Sequence, residues 1–503
     1  MNNQKNYTRI ISIIIFILIL TLGAVLRFYK IDQYLTFLGD EGRDVLVVKR
    51  MIVDHKLTLL GPTTSVGSMY MGPVYYYMMA PFLLLWNLDP TGTAVMVALF
   101  SVMTMVLLYK TGREFFNPMV GYISSYLYAI SPLTIIYGKS SWNPNVVPFF
   151  SLLIIYALLK VVVKRETGWL IVALFALGIN IQLHYVTLLM IPVIVMSLLF
   201  MKFRIPFKNF LLSIGAFIIA YSPFLLFEIR HGFVNTNAVI HFVFSQKGSG
   251  ESGVTEFMKT VMDVFVRIFW RLTILESAEL TKLFLIITIF TIAFWIIRNK
   301  NSTKLPALKI ILLWISGAIL SFGFYRGIIY DYYFGTVFAA PFLITAFLVS
   351  ILWKLNKLGK AATIILILFL SYASFNKSPF RIAPNNMLKN TKEISQFIYD
   401  KTNGKPYNFA LITGQNSDHA YRYFLEVWGH PPLTIENPVI DPDRKSVTSQ
   451  LLVICEEKKC QPLGHPLWEI AGFGRAEIVG EWPVSTIKVY RLIHYTNSDV
   501  TNQ

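Results

Sequence analysis

Long apolar runs alternate with short polar segments along the first three quarters of the chain. A helix needs about 20 apolar residues to cross the ~30 Å hydrocarbon core of a bilayer. Apolar runs near that length lie around residues 9–27, 93–109, 118–138, 146–163, 168–183, 185–201, 210–229, 281–297, 309–325, 336–353 and 361–375. The pattern predicts an all-α polytopic membrane domain of about eleven transmembrane helices over residues 1–375.

The charges between the apolar runs predict how the chain is oriented in the membrane. The apolar stretch at residues 74–86 is short and contains Pro81, so we interpret it as an interfacial or re-entrant helix. With a cytoplasmic N-terminus, the short Lys- and Arg-rich connections then fall on the cytoplasmic side, as the positive-inside rule requires. The first run is interpreted as a retained signal anchor. We therefore expect a multi-pass protein of the cytoplasmic membrane, with its N-terminus inside and its C-terminus outside.

A more polar segment, residues 376–503, follows the last apolar run. Its helical patterns and strand-like runs lie at 385–401 and 417–428, and at 407–413, 450–455 and 485–492, respectively. They predict a small extracytoplasmic α/β domain. Two cysteines, Cys455 and Cys460, are too few for a disulfide framework or a four-cysteine zinc site. A local bridge and a pair of reduced thiols are both compatible with their spacing.

The composition narrows the class of function. Apolar residues make up 55% of the 503 residues, charged residues make up 15%, and the formal net charge is +17. Because Lys and Arg concentrate in short loops, orientation in the membrane explains much of this charge, and nucleic-acid binding is not expected. Carboxylates at a membrane face are functional candidates in such a chain. The acidic pair Asp40-Glu41 follows the first span closely; a solvated acidic loop is the alternative interpretation.

Three features together resemble the GT-C superfamily of membrane glycosyltransferases. They are the first-loop Asp40-Glu41 followed by Arg43, the entry Pro73-Val74-Tyr75-Tyr76-Tyr77 into an interfacial helix, and the order of the later spans. Within the superfamily, residues 9–375 are similar to the bacterial protein-O-mannosyltransferase-like group, which includes the aminoarabinose transferase of lipid A. The resemblance implies transfer of a hexose or pentose from a polyprenyl-phosphate donor, with inversion, at the outer membrane face. The implied acceptor is a lipid, a glycan or a protein.

The sequence departs from this group at two points. The second outer loop has Asn143 and Asn145 where relatives often carry an acidic residue, which some of them use in a metal site. Met71-Gly72-Pro73 stands where relatives often have His-Pro-Pro. The resemblance allows a divalent metal, but these residues do not support one, and no cofactor is expected.

The chemistry of such a transfer predicts roles for particular residues. One general base must accept the proton of the acceptor hydroxyl, and cations must offset the charge that grows on the departing phosphate. We expect Asp40 to be the base, with Glu41 as its partner and Arg43 orienting Asp40 or reaching the phosphate. Lys139 and Arg326 are the predicted phosphate contacts, although each would also suit a lipid headgroup. Further predicted substrate-binding residues are Tyr75, Asn143, His184, Arg230, His231 and Tyr332.

Two other classes of function are consistent with a polytopic chain. A transporter or flippase of lipid-linked glycans typically has ionisable residues at the bilayer midplane and repeated halves. The spans here are nearly free of charge, and no half-repeat is visible in the sequence. A receptor-like protein that acts through its C-terminal domain would leave the polar outer loops unexplained. Glycosyl transfer, with membrane lipids as neighbours, is the function that the sequence predicts.

Overall fold

The computed structural model describes residues 2–64, 69–200, 203–245, 253–325, 327–457 and 459–495. It divides into two compact units. The helical unit comprises Met1–Ile31, Thr58–Met78 and Ala94–Ala383, and the sheet-containing unit comprises Asp32–Leu57, Met79–Thr93 and Pro384–Gln503. Two parts of the first loop, which the sequence places with residues 1–375, therefore pack in the structure with the C-terminal segment.

The described α-helices of the chain are, in order, α1 (Asn2–Phe28), α2 (Ile31–Tyr34), α3 (Gly39–Val53), α4 (Val74–Leu85), α5 (Thr91–Phe115), α6 (Pro118–Ile130), α7 (Pro132–Tyr137), α8 (Val147–Lys164), α9 (Trp169–Leu183), α10 (Met190–Leu199), α11 (Phe207–Arg230), α12 (Val234–Ser245), α13 (Gly253–Phe269), α14 (Ala278–Arg298), α15 (Leu305–Phe322), α16 (Ala339–Leu352), α17 (Lys357–Asn376), α18 (Met387–Lys401), α19 (His419–Val427) and α20 (Trp468–Ala471). Short 3₁₀ turns lie at Asn143–Val146, Tyr185–Leu189, Asp331–Val337 and Pro379–Arg381, and a π-helical turn lies at Trp270–Ile274.

The predicted fold class, a polytopic helical domain with a small α/β domain, is confirmed. Among the described residues, seven helical segments are long and apolar enough to cross a membrane, judged by length and composition. They are Ile10–Phe28, Thr91–Phe115, Asn143–Lys164, Phe207–Arg230, Ala278–Arg298, Leu305–Phe322 and Lys357–Asn376. An eighth results if Asp331–Val337 and Ala339–Leu352, which meet at a bend of 60°, form one span.

The prediction of eleven full-length spans is too high by this criterion, because several apolar runs fold as shorter or broken helices. The run at 118–138 divides into α6 and α7 at Ser131, just before Pro132, whose ring cannot continue a helix. The run at 168–201 forms α9 and a second short helical segment, Tyr185–Leu199. Helix α4 has 12 residues, so at 1.5 Å per residue it is too short for the ~30 Å core, in agreement with its interpretation as a non-spanning helix.

A buried arginine connects α1 by hydrogen bonds to neighbouring helices of the helical unit. The side chain of Arg27 is fully buried near the end of α1. Its guanidinium donates hydrogen bonds to Ser101 Oγ at 2.6 Å, Ala129 O at 3.0 Å, Gly23 O at 3.1 Å, and Tyr128 O and Thr134 Oγ1 at 3.2 Å. A buried charge without such partners would be strongly destabilising. Arg27 is therefore a structural residue, and it joins α1 to α5, α6 and α7.

The sheet-containing unit has four strands: β1 (Asn408–Ile412), β2 (Gln450–Cys455), β3 (Ala476–Val484) and β4 (Ile487–His494). Their order is β1-β2-β4-β3, with β1 and β2 parallel and the other pairs antiparallel. Every residue of β1 and β2 is buried. One face of the sheet packs against apolar residues of α18 and α19, including Ile394 and Leu425. Continuous apolar runs are typical of such doubly covered strands.

Strand β3 was not predicted, and its composition explains why. It contains Gly480 and Pro483, both of which are unfavourable inside a strand. The structure places it at the edge of the sheet, with a register shift between Ile478 and Gly480. An edge strand tolerates proline and irregular pairing because one side of its backbone needs no strand partner.

Cys455 and Cys460 form a disulfide in the structure. The bridge begins at the last residue of β2 and closes the short segment that follows it. Glu456, the next residue after the strand, accepts hydrogen bonds from Thr413, Asn416 and Tyr421. The disulfide therefore lies next to a polar network that connects β2 to the segment before α19.

Candidate functional site

The predicted acidic pair lies in the first turn of α3, and its two carboxylates have different surroundings. The side chain of Asp40 is 57% exposed, and its Oδ1 accepts a hydrogen bond from Arg43 NH1 at 2.9 Å. Arg43 also donates from Nε and NH2 to Oδ1 of the buried Asp44, at 3.0 and 2.9 Å. The guanidinium thus bridges two carboxylates one helical turn apart. It holds its position through the buried Asp44 and leaves Asp40 accessible.

Glu41 points toward the interior of the sheet-containing unit. It is 7% exposed, and its Oε2 accepts the backbone N–H of Leu38 at 3.1 Å, which satisfies a donor at the start of α3. Burial raises the pKa of Glu41 from its ordinary value of 4.5 to about 7, and the charges of Asp40 and Asp44 add to this effect. Of the two carboxylates, Asp40 is accessible to a substrate, whereas Glu41 supports the helix that carries it.

The raised pKa of Glu41 predicts a pH-dependent stability. Between about pH 4.5 and 7 the folded protein retains a proton on Glu41 that the unfolded chain releases, so stability should fall as pH rises through this window. The expected loss is at most about 3 kcal/mol. Glu41→Gln keeps an acceptor for the Leu38 N–H and does not titrate, so its Tm should exceed that of the wild type at pH 8 and approach it at pH 5.

Thermal unfolding in detergent at several pH values checks this prediction. Glu393→Gln is a suitable control, because the side chain of Glu393 is 54% exposed on α18 and pairs with the exposed Lys389 at 3.7 Å. That substitution should leave the pH dependence of Tm unchanged. An equal Tm difference between Glu41→Gln and the wild type at pH 5 and pH 8 would contradict the assigned ionisation of Glu41.

Helix α3 packs closely against the segment that begins α19. Two glycines, Gly39 and Gly42, flank the acidic pair, and a Cβ added to Gly42 would lie 2.3 Å from both N and Cα of Ala420. The N–H of Gly39 donates to Asn416 Oδ1 at 2.9 Å, and Asn416 Nδ2 donates to Glu456 at 3.0 Å. The start of α3 is therefore held by backbone packing and by the polar network beside the disulfide.

The other end of α3 is fixed by ion pairs to α19. Glu426 accepts from Arg50 at 2.8 Å and from Lys49 at 3.2 Å. Burial opposes ionisation of Glu426, but hydrogen bonds from Arg50 and Lys49 outweigh it, and the pKa of Glu426 is lowered. Residues 416–427, which include α19, thus contact α3 at both ends and determine the position of Asp40 within the sheet-containing unit.

In the helical unit, the second of the predicted outer loops, residues 139–145, contacts several predicted substrate-binding residues. Tyr75, buried at the start of α4, has its hydroxyl 2.9 Å from Ser141 Oγ. Lys139 is 1% exposed; its Nζ donates to Tyr29 O at 2.5 Å and lies 5.0 Å from the centre of the Phe380 ring. Lys139 therefore holds a buried position, whereas a lysine that snorkels to headgroups keeps its ammonium exposed.

The same loop is joined to the α9 hairpin and to the tyrosine-rich segment before α16. Asn143 Nδ2 donates to Leu183 O at 2.6 Å, and His184 follows directly. The ring centre of Tyr332 lies 4.4 Å from that of Trp142 and 5.8 Å from that of His184. The structure thus brings Tyr75, Asn143, His184 and Tyr332 into one connected group through the second loop.

Two further predicted residues lie at the end of α11, and a third is not described. Arg230 and His231 are exposed at the end of α11, where the His231 ring stacks on Phe227 at 4.1 Å. The acidic residue of this segment, Glu228, is buried and accepts from the backbone N–H groups of Asn235 and Thr236 at the start of α12. Arg326 lies outside the described residues.

One arginine pair, Arg267 in α13 and Arg271 in the π-helical turn, was not predicted from the sequence. Arg267 and Arg271 both bind Asp331: Arg267 NH2 lies 2.7 Å from Oδ1, and Arg271 Nε lies 2.7 Å from Oδ2. Arg271 is 47% exposed, whereas Asp331 is 13% exposed and directly precedes Tyr332. Their spacing of four residues on a helix was the available signal, since it places both guanidinium groups on one face.

The second loop carries two amide side chains where a carboxylate ligand would be expected in a metal site. Asn143 and Asn145 use their amide N–H groups to donate to backbone carbonyls, Leu183 O and Ser140 O. Within the described ranges, no group of three or more His, Cys, Asp or Glu side chains is placed to hold a metal ion.

Comparison with known proteins identifies the fold. Residues 71–227, less than a third of the chain, match the family model of dolichyl-phosphate-mannose-protein mannosyltransferase. The structure is similar to that of ArnT from Cupriavidus metallidurans bound to undecaprenyl phosphate, with a TM-score of 0.64 and 13% identity over 94% of this chain and 97% of that one. The chain has the GT-C glycosyltransferase fold.

The apo structure of the same ArnT gives a consistent result, with a TM-score of 0.62 and 12% identity over 95% of this chain and 97% of that one. No curated protein sequence matches this chain. The resemblance to the GT-C superfamily, predicted from the acidic pair, the tyrosine run and the span order, is confirmed. The similarity to ArnT covers 94% of this chain and therefore includes residues of both units.

Proposed function

We propose that this GT-C protein transfers a sugar from a polyprenyl-phosphate donor to an acceptor hydroxyl, with inversion, at the outer face of the cytoplasmic membrane. The observation that carries the proposal is the exposed carboxylate of Asp40, held against Arg43 at the start of a firmly packed helix, in a chain with this fold. ArnT, at 13% identity, was crystallised with undecaprenyl phosphate, which supports a lipid phosphate as part of the donor.

Asp40 is suited to the role of general base. In a single displacement, the acceptor oxygen attacks the anomeric carbon, the bond from that carbon to the phosphate oxygen breaks, and the configuration inverts. Asp40 takes the proton of the acceptor hydroxyl, and the phosphate leaves without protonation. Arg43 keeps Asp40 oriented through its second contact with Asp44, and Glu41 stabilises the first turn of α3.

The cations of the helical unit are the proposed contacts of the donor phosphate. Lys139 and Arg326 keep the roles predicted from the sequence, and Arg271 joins them because its guanidinium is half-exposed beside the tyrosine-rich segment. Asp331 fixes Arg271 in place without burying it. Fixed cations of this kind stabilise charge that develops on a leaving phosphate because they need no rearrangement during the reaction.

The basic loops of the helical unit support the proposed orientation, with the N-terminus in the cytoplasm. The Cys455–Cys460 disulfide supports an oxidising compartment for the sheet-containing unit. Both features agree with a transfer reaction outside the cytoplasm. We propose a lipid, glycan or protein hydroxyl as the acceptor.

Release of polyprenyl phosphate tests the proposed function. Purified protein in detergent would be incubated with a panel of undecaprenyl-phosphate hexoses and pentoses, with a membrane extract as the source of acceptors. We expect one donor to release undecaprenyl phosphate with the wild type and not with Asp40→Asn. Movement of the intact donor across liposomes without release, equal in both proteins, would favour the transporter alternative.

Removal of a donor-phosphate contact should weaken donor binding. Loss of one charge-assisted hydrogen bond typically costs about 1.5–3 kcal/mol, which corresponds to roughly 10–150-fold in Kd. We expect this effect in at least one of Lys139→Met, Arg271→Ala and Arg326→Ala, measured by titration with the donor identified above. Arg204→Ala, an exposed arginine of the helical unit, is the control. Unchanged donor affinity in all three folded variants would show that none of these residues contacts the donor phosphate.

A further inference from the structure

A groove that is lined at one end by basic residues lies between α14 and α16 in the helical unit. The cavity has a volume of about 500 Å³. Aromatic residues of α14 line its apolar part: Phe290, Phe294 and Trp295. Phe290 is 71% exposed and Phe294 is 61% exposed, so the apolar part is open on the side of these residues. In a membrane-spanning helix, such an opening faces lipid tails.

Three cations line the other end of the groove: Arg298, Lys304 and Lys354. They come from the end of α14, the start of α15 and the segment after α16. Lys304 lies close to Lys354, and burial together with this like charge lowers the pKa of Lys304. The guanidinium of Arg298 lies 5.2 Å from the centre of the Phe294 ring. The groove thus passes from aromatic rings to clustered positive charge.

The segments of the sequence that carry these three cations contain no acid to balance them. Residues 280–330 and 332–392 contain no Asp or Glu. Like charges held close together destabilise one another, and an anion placed between them would reverse that effect. The positive-inside rule explains why basic residues occur in the segments between these helices. The rule applies equally to Lys300 and Lys357, although these two lysines do not line the groove.

We infer that this groove binds a glycerophospholipid with an anionic headgroup. An acyl chain would lie along the rings of Phe290, Phe294 and Trp295, and the headgroup phosphate would contact Arg298, Lys304 and Lys354. A lipid is favoured over a soluble anion because the apolar part opens toward the membrane. The predicted cytoplasmic position of the basic loops matches the leaflet in which anionic lipids attract Lys and Arg side chains.

Native mass spectrometry of the detergent-purified chain, titrated with defined lipids, tests the inference. Dioleoyl phosphatidylglycerol should bind at least about tenfold more tightly than dioleoyl phosphatidylcholine, since three cations face the headgroup. Inorganic phosphate and undecaprenyl phosphate are tested as competitors. Displacement of phosphatidylglycerol by millimolar inorganic phosphate alone would show a simple anion site. Preferential binding of undecaprenyl phosphate would show a second polyprenyl site. Either result overturns the inference.

Matched variants separate the groove from general surface charge. The double variant Lys304→Ala/Lys354→Ala should weaken phosphatidylglycerol binding by about tenfold or more. Lys300→Ala/Lys357→Ala removes the same charge from the same two loops outside the groove and should change binding little. Thr291→Phe keeps every cation and fills the groove, so it should also weaken binding. Equal losses of binding in the two double variants would overturn the inference. If Thr291→Phe does not fold, the comparison of the two double variants still tests the inference.

Discussion

Replacing Asp40 with asparagine should lower turnover by about 10²–10⁴-fold, the usual contribution of a positioned general base. Asparagine retains the size of aspartate and can still accept a hydrogen bond from Arg43, but it cannot take the proton of the acceptor hydroxyl. Because Asp40 is 57% exposed and its pairing with Arg43 is near the surface, its contribution to stability should be small. Donor binding and Tm should therefore remain close to those of the wild type while polyprenyl phosphate release is lost.

Two other carboxylates on the same helix serve as comparisons. Asp54→Asn alters a partly exposed acid at the far end of α3, paired with Lys49, and should leave turnover nearly unchanged. Glu41→Gln should retain more activity than Asp40→Asn, because Glu41 is buried and its Oε2 bonds to the helix start. If Asp40→Asn has near-normal turnover and Glu41→Gln is inactive, then Glu41 is the general base and Asp40 is its partner. Activity in both would exclude the pair from catalysis.

The sequence predicted those elements that are determined by local hydrophobic pattern. Spans such as Thr91–Phe115 and Ala278–Arg298 are long and continuous, so their length alone distinguishes them. In the C-terminal segment, β1 and β2 are unbroken apolar runs that follow or precede clear turn residues. Helices interrupted by proline and the edge strand β3 depart from these patterns, so local pattern predicts them less well.

Contacts between residues far apart in the sequence could not be predicted from the local pattern of apolar and polar residues. Asn416 contacts Gly39 across 377 positions, and the Arg267–Asp331 pair joins α13 to the 3₁₀ turn before α16. No periodicity in a single sequence connects such residues, since their approach depends on the packing of whole elements. The burial of Glu41, by contrast, is indicated by the local sequence pattern. It lies on the helical face of Val45 and Val48, four and seven residues later, whereas Asp40 is displaced from that face.

Gly42→Ala should destabilise the sheet-containing unit and also reduce turnover, although alanine is normally favoured over glycine inside a helix by about 1 kcal/mol. The added Cβ would lie 2.3 Å from the N and Cα atoms of Ala420, closer than packed atoms approach. Because both are backbone atoms, α3 and α19 must separate to relieve the clash. Overpacking of this kind typically costs about 1–3 kcal/mol. Asp40 moves with its helix, and a displacement near 1 Å is enough to lower turnover by about 10²-fold.

Gly414→Ala provides the matched control in the same unit, because a Cβ at Gly414 would meet no atom within 4 Å. Its Tm should stay at or above that of the wild type. For Gly42→Ala we expect a lower Tm and faster hydrogen exchange in α3 and α19, with turnover reduced even at temperatures where the protein remains folded. Ala420→Gly should not restore it, since the clash involves the backbone of residue 420. A Gly42→Ala protein with wild-type Tm and turnover would show that close packing of α3 on α19 is not what positions Asp40.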